Sequence, residues 1–221
     1  MTTHLHREID NLKTRLLSLG GMVEDGLWKA VQAVHDRDEV SAQAVIDNDH
    51  LIDMLEVELE EECLKVLALY QPVATDLRFI VAVLKINNDL ERIGDLAGNI
   101  ARRARFLARH VPVEAPFDLQ GMARRAQAML HDSLDALINM DAIRAREICK
   151  EDDEVDAMHR QTYGMVRDEI RRHPENLEAL TQILSISNHL ERAADHATNI
   201  AEDVIYMVEG HIMRHAVVDK S

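Results

Sequence analysis

The chain has 221 residues, 47% of them hydrophobic but only 3% aromatic, and a formal net charge of −15. A surface this acidic repels nucleic-acid phosphates and anionic lipid, which argues against DNA or RNA binding and against adhesion to a membrane. Eight glycines and four prolines in a background of Ala, Leu, Glu, Arg and Met favour helix over sheet.

The first residues, Met1-Thr-Thr-His-Leu-His-Arg-Glu8, form no apolar run, so no secretion signal is expected. Helical periodicity predicts helices over about 4–36 and 39–70, with a turn at Asp38 between them. Pro72 then ends one helix and opens the next, predicted over about 73–109. The longest apolar stretch, from Phe79 to Leu84, stops at Lys85 and is too short to span a bilayer. The segment from Val111 to Asp118 holds Pro112 and Pro116 and is the one convincing linker. Beyond it, helices are predicted over about 117–139, 141–172 and 175–213, with Asp141 and Pro174 repeating the roles of Asp38 and Pro72. The expected fold is all-α, two tandem, sequence-related three-helix bundles built from six long helices. The units are expected over residues 1–111 and 112–221. Cys63 and Cys149 have no metal spacing and are expected as free thiols in a reduced, cytoplasmic compartment.

The two halves are copies. Residues 88–101 return as residues 188–201, with nine of fourteen positions identical. The repeated set is polar as well as apolar. Residues four apart share a helix face, so Glu91 and Asp95 are neighbours, as are Glu191 and Asp195. Asn88 and Asn99 are placed on the first of these faces, and Asn188 and Asn199 on the second. The apolar stripe Ile86, Leu90, Ile93, Ala97, Ile100 and Ala104 lies roughly opposite. The preceding helix of each half carries a matching pair, Asp49 with Asp53 and Asp152 with Asp156. If these helices are antiparallel neighbours, each half gathers four carboxylates. Such a cluster repels itself unless protons or a cation neutralise it, and oxygen-only ligation suits Mg, Mn, Ca or ferric iron. The alternative is a solvated acidic face. Arg92 and Arg192 either pair with the acids or support them from behind. His189 and His196 flank the second pair but are replaced by Asp89 and Leu96 in the first, which favours local variation over ligation. Neither Glu-x-x-His, nor a Gly-rich phosphate loop, nor a Gly-x-Ser-x-Gly elbow occurs, so no enzyme chemistry is indicated.

Gln71-Pro72-Val-Ala-Thr-Asp76-Leu-Arg78, then Leu90-Glu91-Arg92-Ile-Gly-Asp95 and Asn99-Ile100-Ala101, resembles the PhoU family. The second half repeats the theme with Leu190-Glu191-Arg192-Ala-Ala-Asp195 and Asn199-Ile200-Ala201, so the resemblance covers essentially the whole chain. It implies two similar three-helix bundles in a cytoplasmic, non-enzymatic and often dimeric protein. It implies a negative regulator of the phosphate-starvation response and of phosphate uptake, acting between the ATPase subunit of the Pst phosphate transporter and a PhoR-type sensor histidine kinase. It also implies metal (Mg, Mn, Fe, Zn or Ca) at Asp49, Asp53, Glu91, Asp95, Asp152, Asp156, Glu191 and Asp195. Asp76 and Arg78 have no counterparts in the second half, which makes them candidate partner contacts; helix-start capping and packing is the other reading. Three rivals stand beside this reading: a metal-binding or metal-storage protein, a metal-dependent phosphohydrolase, and a paralogue serving another phosphate transporter.

Overall fold

The computed structural model describes residues 2–210. Six α-helices follow one another: α1 (Thr2–Asp36), α2 (Glu39–Tyr70), α3 (Ala74–Ala108), α4 (Leu119–Asn139), α5 (Ala142–Arg172) and α6 (Leu177–Glu209). The last residues of the predicted sixth helix, 211–213, lie outside the described residues.

The helix ends follow from local chemistry. Asp38 Oδ1 accepts from the backbone N–H groups of Val40 (2.9 Å) and Ser41 (3.1 Å), and Asp141 Oδ1 accepts from those of Ile143 and Arg144 (both 3.0 Å). Each aspartate thus satisfies two donors that a helix start would otherwise leave open. Asp118 caps α4 in the same way through Gly121 N (2.8 Å). A Cβ on Gly121 would lie 2.0 Å from Asp118 Oδ2, so a side chain there would push the capping carboxylate aside. This cap places the start of α4 at Leu119 rather than at 117. Pro174 opens a single 3-10 turn, Pro174–Asn176, closed by Asn176 N donating to His173 O (3.0 Å), so α6 starts at Leu177 instead of 175. At the other ends, Gln71, Met140 and Gly210 take left-handed conformations (φ 47, 53 and 75) that turn the chain out of α2, α4 and α6.

The helices of each half pack on one another, and α3 also packs along α6. α3 and α6 run antiparallel: Lys85 Nζ donates to Asp203 Oδ1 (2.8 Å), and in the mirrored position Arg103 Nε donates to Ser185 Oγ (3.4 Å). Between these pairs lies Asp89, whose Oδ1 is 2.8 Å from His196 Nδ1 and accepts from Asn199 Nδ2 (3.2 Å). α1 and α4 make a second antiparallel seam, with His131 Nδ1 2.7 Å from Glu24 Oε1 and Lys13 Nζ donating to Ile138 O (3.3 Å). The buried side chains of both halves therefore form one continuous core.

The predicted stripe of α3, from Ile86 to Ala104, is fully or almost fully buried. Because α3 faces α1, α2 and α6 together, Asn87 and Asp89 are buried as well. The apolar residues ahead of the acids are covered less: Val81 and Leu84 are half-buried, and Leu77 is 40% exposed. Among the described residues no helix is long and apolar enough to cross a membrane.

Candidate functional site

The tight turn at Gln71–Val73 makes α2 and α3 antiparallel neighbours, and the turn through Pro174 does the same for α5 and α6. Both pairs of acidic motifs consequently face each other.

In the first half, burial lifts the Asp49 carboxyl above its usual range, and Asp95 and Asp53 push it further the same way. Glu91 is raised by burial and then by Asp95, with Arg92 opposing at 3.6 Å and Asp53 adding to the rise. Asp49, Asp53, Glu91 and Asp95 thus share one electrostatic environment. Arg102 answers part of it: its Nη2 donates to Asp49 Oδ2 (3.4 Å) and its Nη1 to Asn99 Oδ1 (3.0 Å). Gly98 makes the close approach possible, since a Cβ there would sit 3.0 Å from Asp49 Oδ2. Asn88 is exposed.

In the second half the acids are less well answered. Burial, then Asp195, Asp156, Asp153 and Glu191, push the Asp152 carboxyl up to about 6. Glu191 and Asp195 are also raised, mainly by burial, with Asp156 and (for Glu191) Asp195 as repelling neighbours. Carboxylate oxygens of Asp156, Glu191 and Asp195 all lie within 4.8 Å of one another. Among the described residues this is the set whose ligand atoms converge tightly enough for one ion. Arg160 holds Asp156 at 3.0 Å from the outer side, and Arg192 is exposed. Asn188 Oδ1 accepts from Tyr163 (3.1 Å). Thr198 stands where the first half has Gly98, and its hydroxyl is buried without a hydrogen bond.

Three residues join these clusters that the motif reading did not include. Glu56, raised by burial and then by Glu60 and Asp53, extends the first cluster. It is held by Asn87, whose Nδ2 donates to the Glu56 carbonyl (2.9 Å) and carboxylate (3.2 Å). His159 borders the second cluster; burial depresses its imidazole while Asp156 and Asp195 oppose that. The signal for two of them was helical spacing: Glu56 and His159 each lie three residues beyond the aspartate pair. Asn199, assigned by its position on the wheel to the acidic face, instead bonds Asp89 across the α3–α6 seam.

Cys63 and Cys149 are free, and burial raises their thiols to about 12 and about 11, so neither is a reactive thiolate at neutral pH. Arg78 Nη2 donates to Thr75 Oγ1 (3.4 Å), and Asp76 lies half-buried in the first turn of α3.

These elements define an all-helical protein built from two copies of one three-helix unit, with one carboxylate cluster in each copy. The PhoU domain matches residues 16–104 and 119–204. The phosphate-specific transport system accessory protein PhoU of Serratia marcescens is 36% identical over 94% of this chain and 86% of its own. The corresponding PhoU homolog of Aquifex aeolicus is 36% identical over 96% of each chain. The crystal structure of PhoU from Pseudomonas aeruginosa superposes with a TM-score of 0.89 at 35% identity, covering 93% of this chain and 99% of that one. The chain belongs to the PhoU family, a family of accessory proteins and not of enzymes.

Proposed function

We propose that the chain is a negative regulator of the phosphate-starvation response and of high-affinity phosphate uptake. It acts as a cytoplasmic adaptor between the ATPase subunit of a Pst-type phosphate transporter and a PhoR-type sensor histidine kinase, and self-associates as a homodimer. The observation that carries this reading is family membership over both halves, with relatives named as accessory proteins of phosphate-specific transport. An adaptor of this kind reports phosphate sufficiency only through unequal affinity for two states of a partner. Long helices locked into one core suit it, because they present a surface of fixed shape.

Within this reading a hard cation is held by Asp156, Glu191 and Asp195, with Asp152 alongside. The convergence of Asp156, Glu191 and Asp195 and the raised carboxyls of Asp152, Glu191 and Asp195 fit such an ion. The ion supplies neutralising charge and ties α5 to α6. Asp49, Asp53, Glu91 and Asp95 form the weaker holder, since Arg102 already answers Asp49.

The test is deletion of the gene in the source cell, with alkaline phosphatase assayed in phosphate-rich medium. High activity, returned to low by a plasmid copy, is the expected result. Unchanged low activity would sink the repressor reading and point to a paralogue on another transporter, or to metal binding as the function itself.

A further inference from the structure

The chain's single tryptophan, Trp28, lies on α1 and is 52% exposed. It stands between two hollows. One, of about 270 Å³, opens between α1 and α4 beside Gly21, Glu24, Asp25 and Leu130. The other, of about 360 Å³, opens between α1 and α2 beside Gln32, Asp36, Asp38 and Asn48. A third, of about 130 Å³, continues along the α1–α2 seam past Gly26 and has Asp49 in its wall.

Two glycines on this stretch have no internal cause. A Cβ on Gly20 would meet Leu134 at 2.8 Å, so the approach of α4 accounts for that one. A Cβ on Gly21 or Gly26 would meet nothing within 4 Å. Glycine inside a helix is less stable than alanine, because it gives up more backbone freedom on folding. Among the described residues nothing crowds either position, so both leave open space that the backbone of another protein can enter. An exposed indole flanked by hollows points the same way: tryptophan is over-represented among residues that anchor interfaces.

Charge selects the occupant. The hollows are rimmed by Glu24, Asp25, Asp36 and Asp38, with Asp49 on the seam. The cations facing them are Lys29, 2.5 Å from Asp25; His131, on Glu24; His35, 3.9 Å from Asp36; and Arg102, on Asp49. The balance stays negative. It repels anionic lipid and acidic protein surfaces.

We propose that this face of α1 docks a basic, amphipathic helical segment of another protein. Trp28 anchors the apolar side of the segment, Gly21 and Gly26 allow its backbone to approach, and the rim carboxylates receive its Lys and Arg side chains. The proposal stands whether or not that protein is a transporter subunit or a kinase.

The probe is a synthetic amphipathic Leu/Lys helix of about 18 residues, five turns, with a Leu/Glu peptide of the same pattern as control. Because Trp28 is the only tryptophan, its emission reports directly on its own burial. The Lys peptide is expected to shift that emission to the blue. Anisotropy of a labelled peptide is expected to show binding weakened about tenfold or more by Trp28→Ala and by Gly21→Gln. Gly21→Gln improves helix propensity and keeps the reporter, so a loss there is not a loss of fold. Binding that ignores both substitutions would be charge adhesion alone and would overturn the proposal. Equal binding of the Glu peptide would do the same. A blue shift on phosphatidylglycerol vesicles would assign the face to lipid, and one produced by raising protein concentration alone would assign it to a second copy; either refutes a basic protein partner.

Discussion

Replacing Asp152 by Asn should stabilise the metal-free protein. The substitution keeps the shape and removes a charge that burial and Asp153, Asp156, Glu191 and Asp195 all oppose. The rise of the Asp152 carboxyl from 3.8 to about 6 corresponds to roughly 3 kcal/mol at 1.36 kcal/mol per pH unit. The group is only half-buried, so solvent screening reduces this to about 1–1.5 kcal/mol. A carboxyl whose folded value lies above its unfolded one weakens the fold when ionised, and that loss sets in as pH rises past the unfolded value of 3.8 and is complete above about 6. The gain from Asp152→Asn should therefore be full at pH 7.5, fall as pH drops through 6, and vanish near 4. Urea denaturation in EDTA at pH 7.5, 6 and 4.5 measures it, with a rise in Tm of about 2–5 °C as the thermal counterpart. Adding a divalent cation should reverse the order at pH 7.5, because the parent binds the ion more tightly and gains more from it. A variant no more stable than the parent in EDTA, or a difference that ignores pH, would refute the reasoning.

Met140 ends α4 with φ 53 and is 39% exposed, so Met140→Gly should raise stability by about 0.5–1 kcal/mol by removing a Cβ from a left-handed position; thermal unfolding that shows no gain would count against the strain. Asp89→Ala should cost about 1–2 kcal/mol, since His196 and Asn199, both half-buried, would lose their acceptor. A double-mutant cycle with His196→Ala should return a coupling of about 1 kcal/mol or more, and additive losses would show that the two do not act together.

Much of the scaffold was legible because its signals are local. Asp38 and Asp141 open α2 and α5 as their spacing indicated, and Pro72 and Pro174 stand at the two inner turns. The acidic pairs meet because short turns leave adjacent helices no choice but to run antiparallel. The seam between the halves was not legible. Periodicity gives each helix one apolar face, whereas α3 serves α1, α2 and α6 at once. Asp89 is buried against α6 and Asn199 leaves the acidic face for it, and neither fact is written in the pattern of its own helix. The unequal clusters were hidden for a related reason. Arg102 reaches Asp49 from a helix turn beyond the motif, so the matched spacings gave no sign that Asp49 is already paired.

The α3–α6 seam also carries a rule about which copy can mate with which. The register that sets Asp89 across from His196 sets Leu96 across from His189. His189 fits an apolar neighbour: both ring nitrogens are buried without a hydrogen bond, and burial, then Arg103 and Arg192, depress the imidazole to about 4, leaving it uncharged. Two first halves joined in this way would bury Asp89 against Leu96, a carboxylate with no hydrogen-bond donor beside it; two second halves would set His189 against His196. Only the pairing of unlike halves gives Asp89 its partners His196 and Asn199. The duplication has thus become a lock and key between unlike copies: a first half mates with a second half and not with another first half.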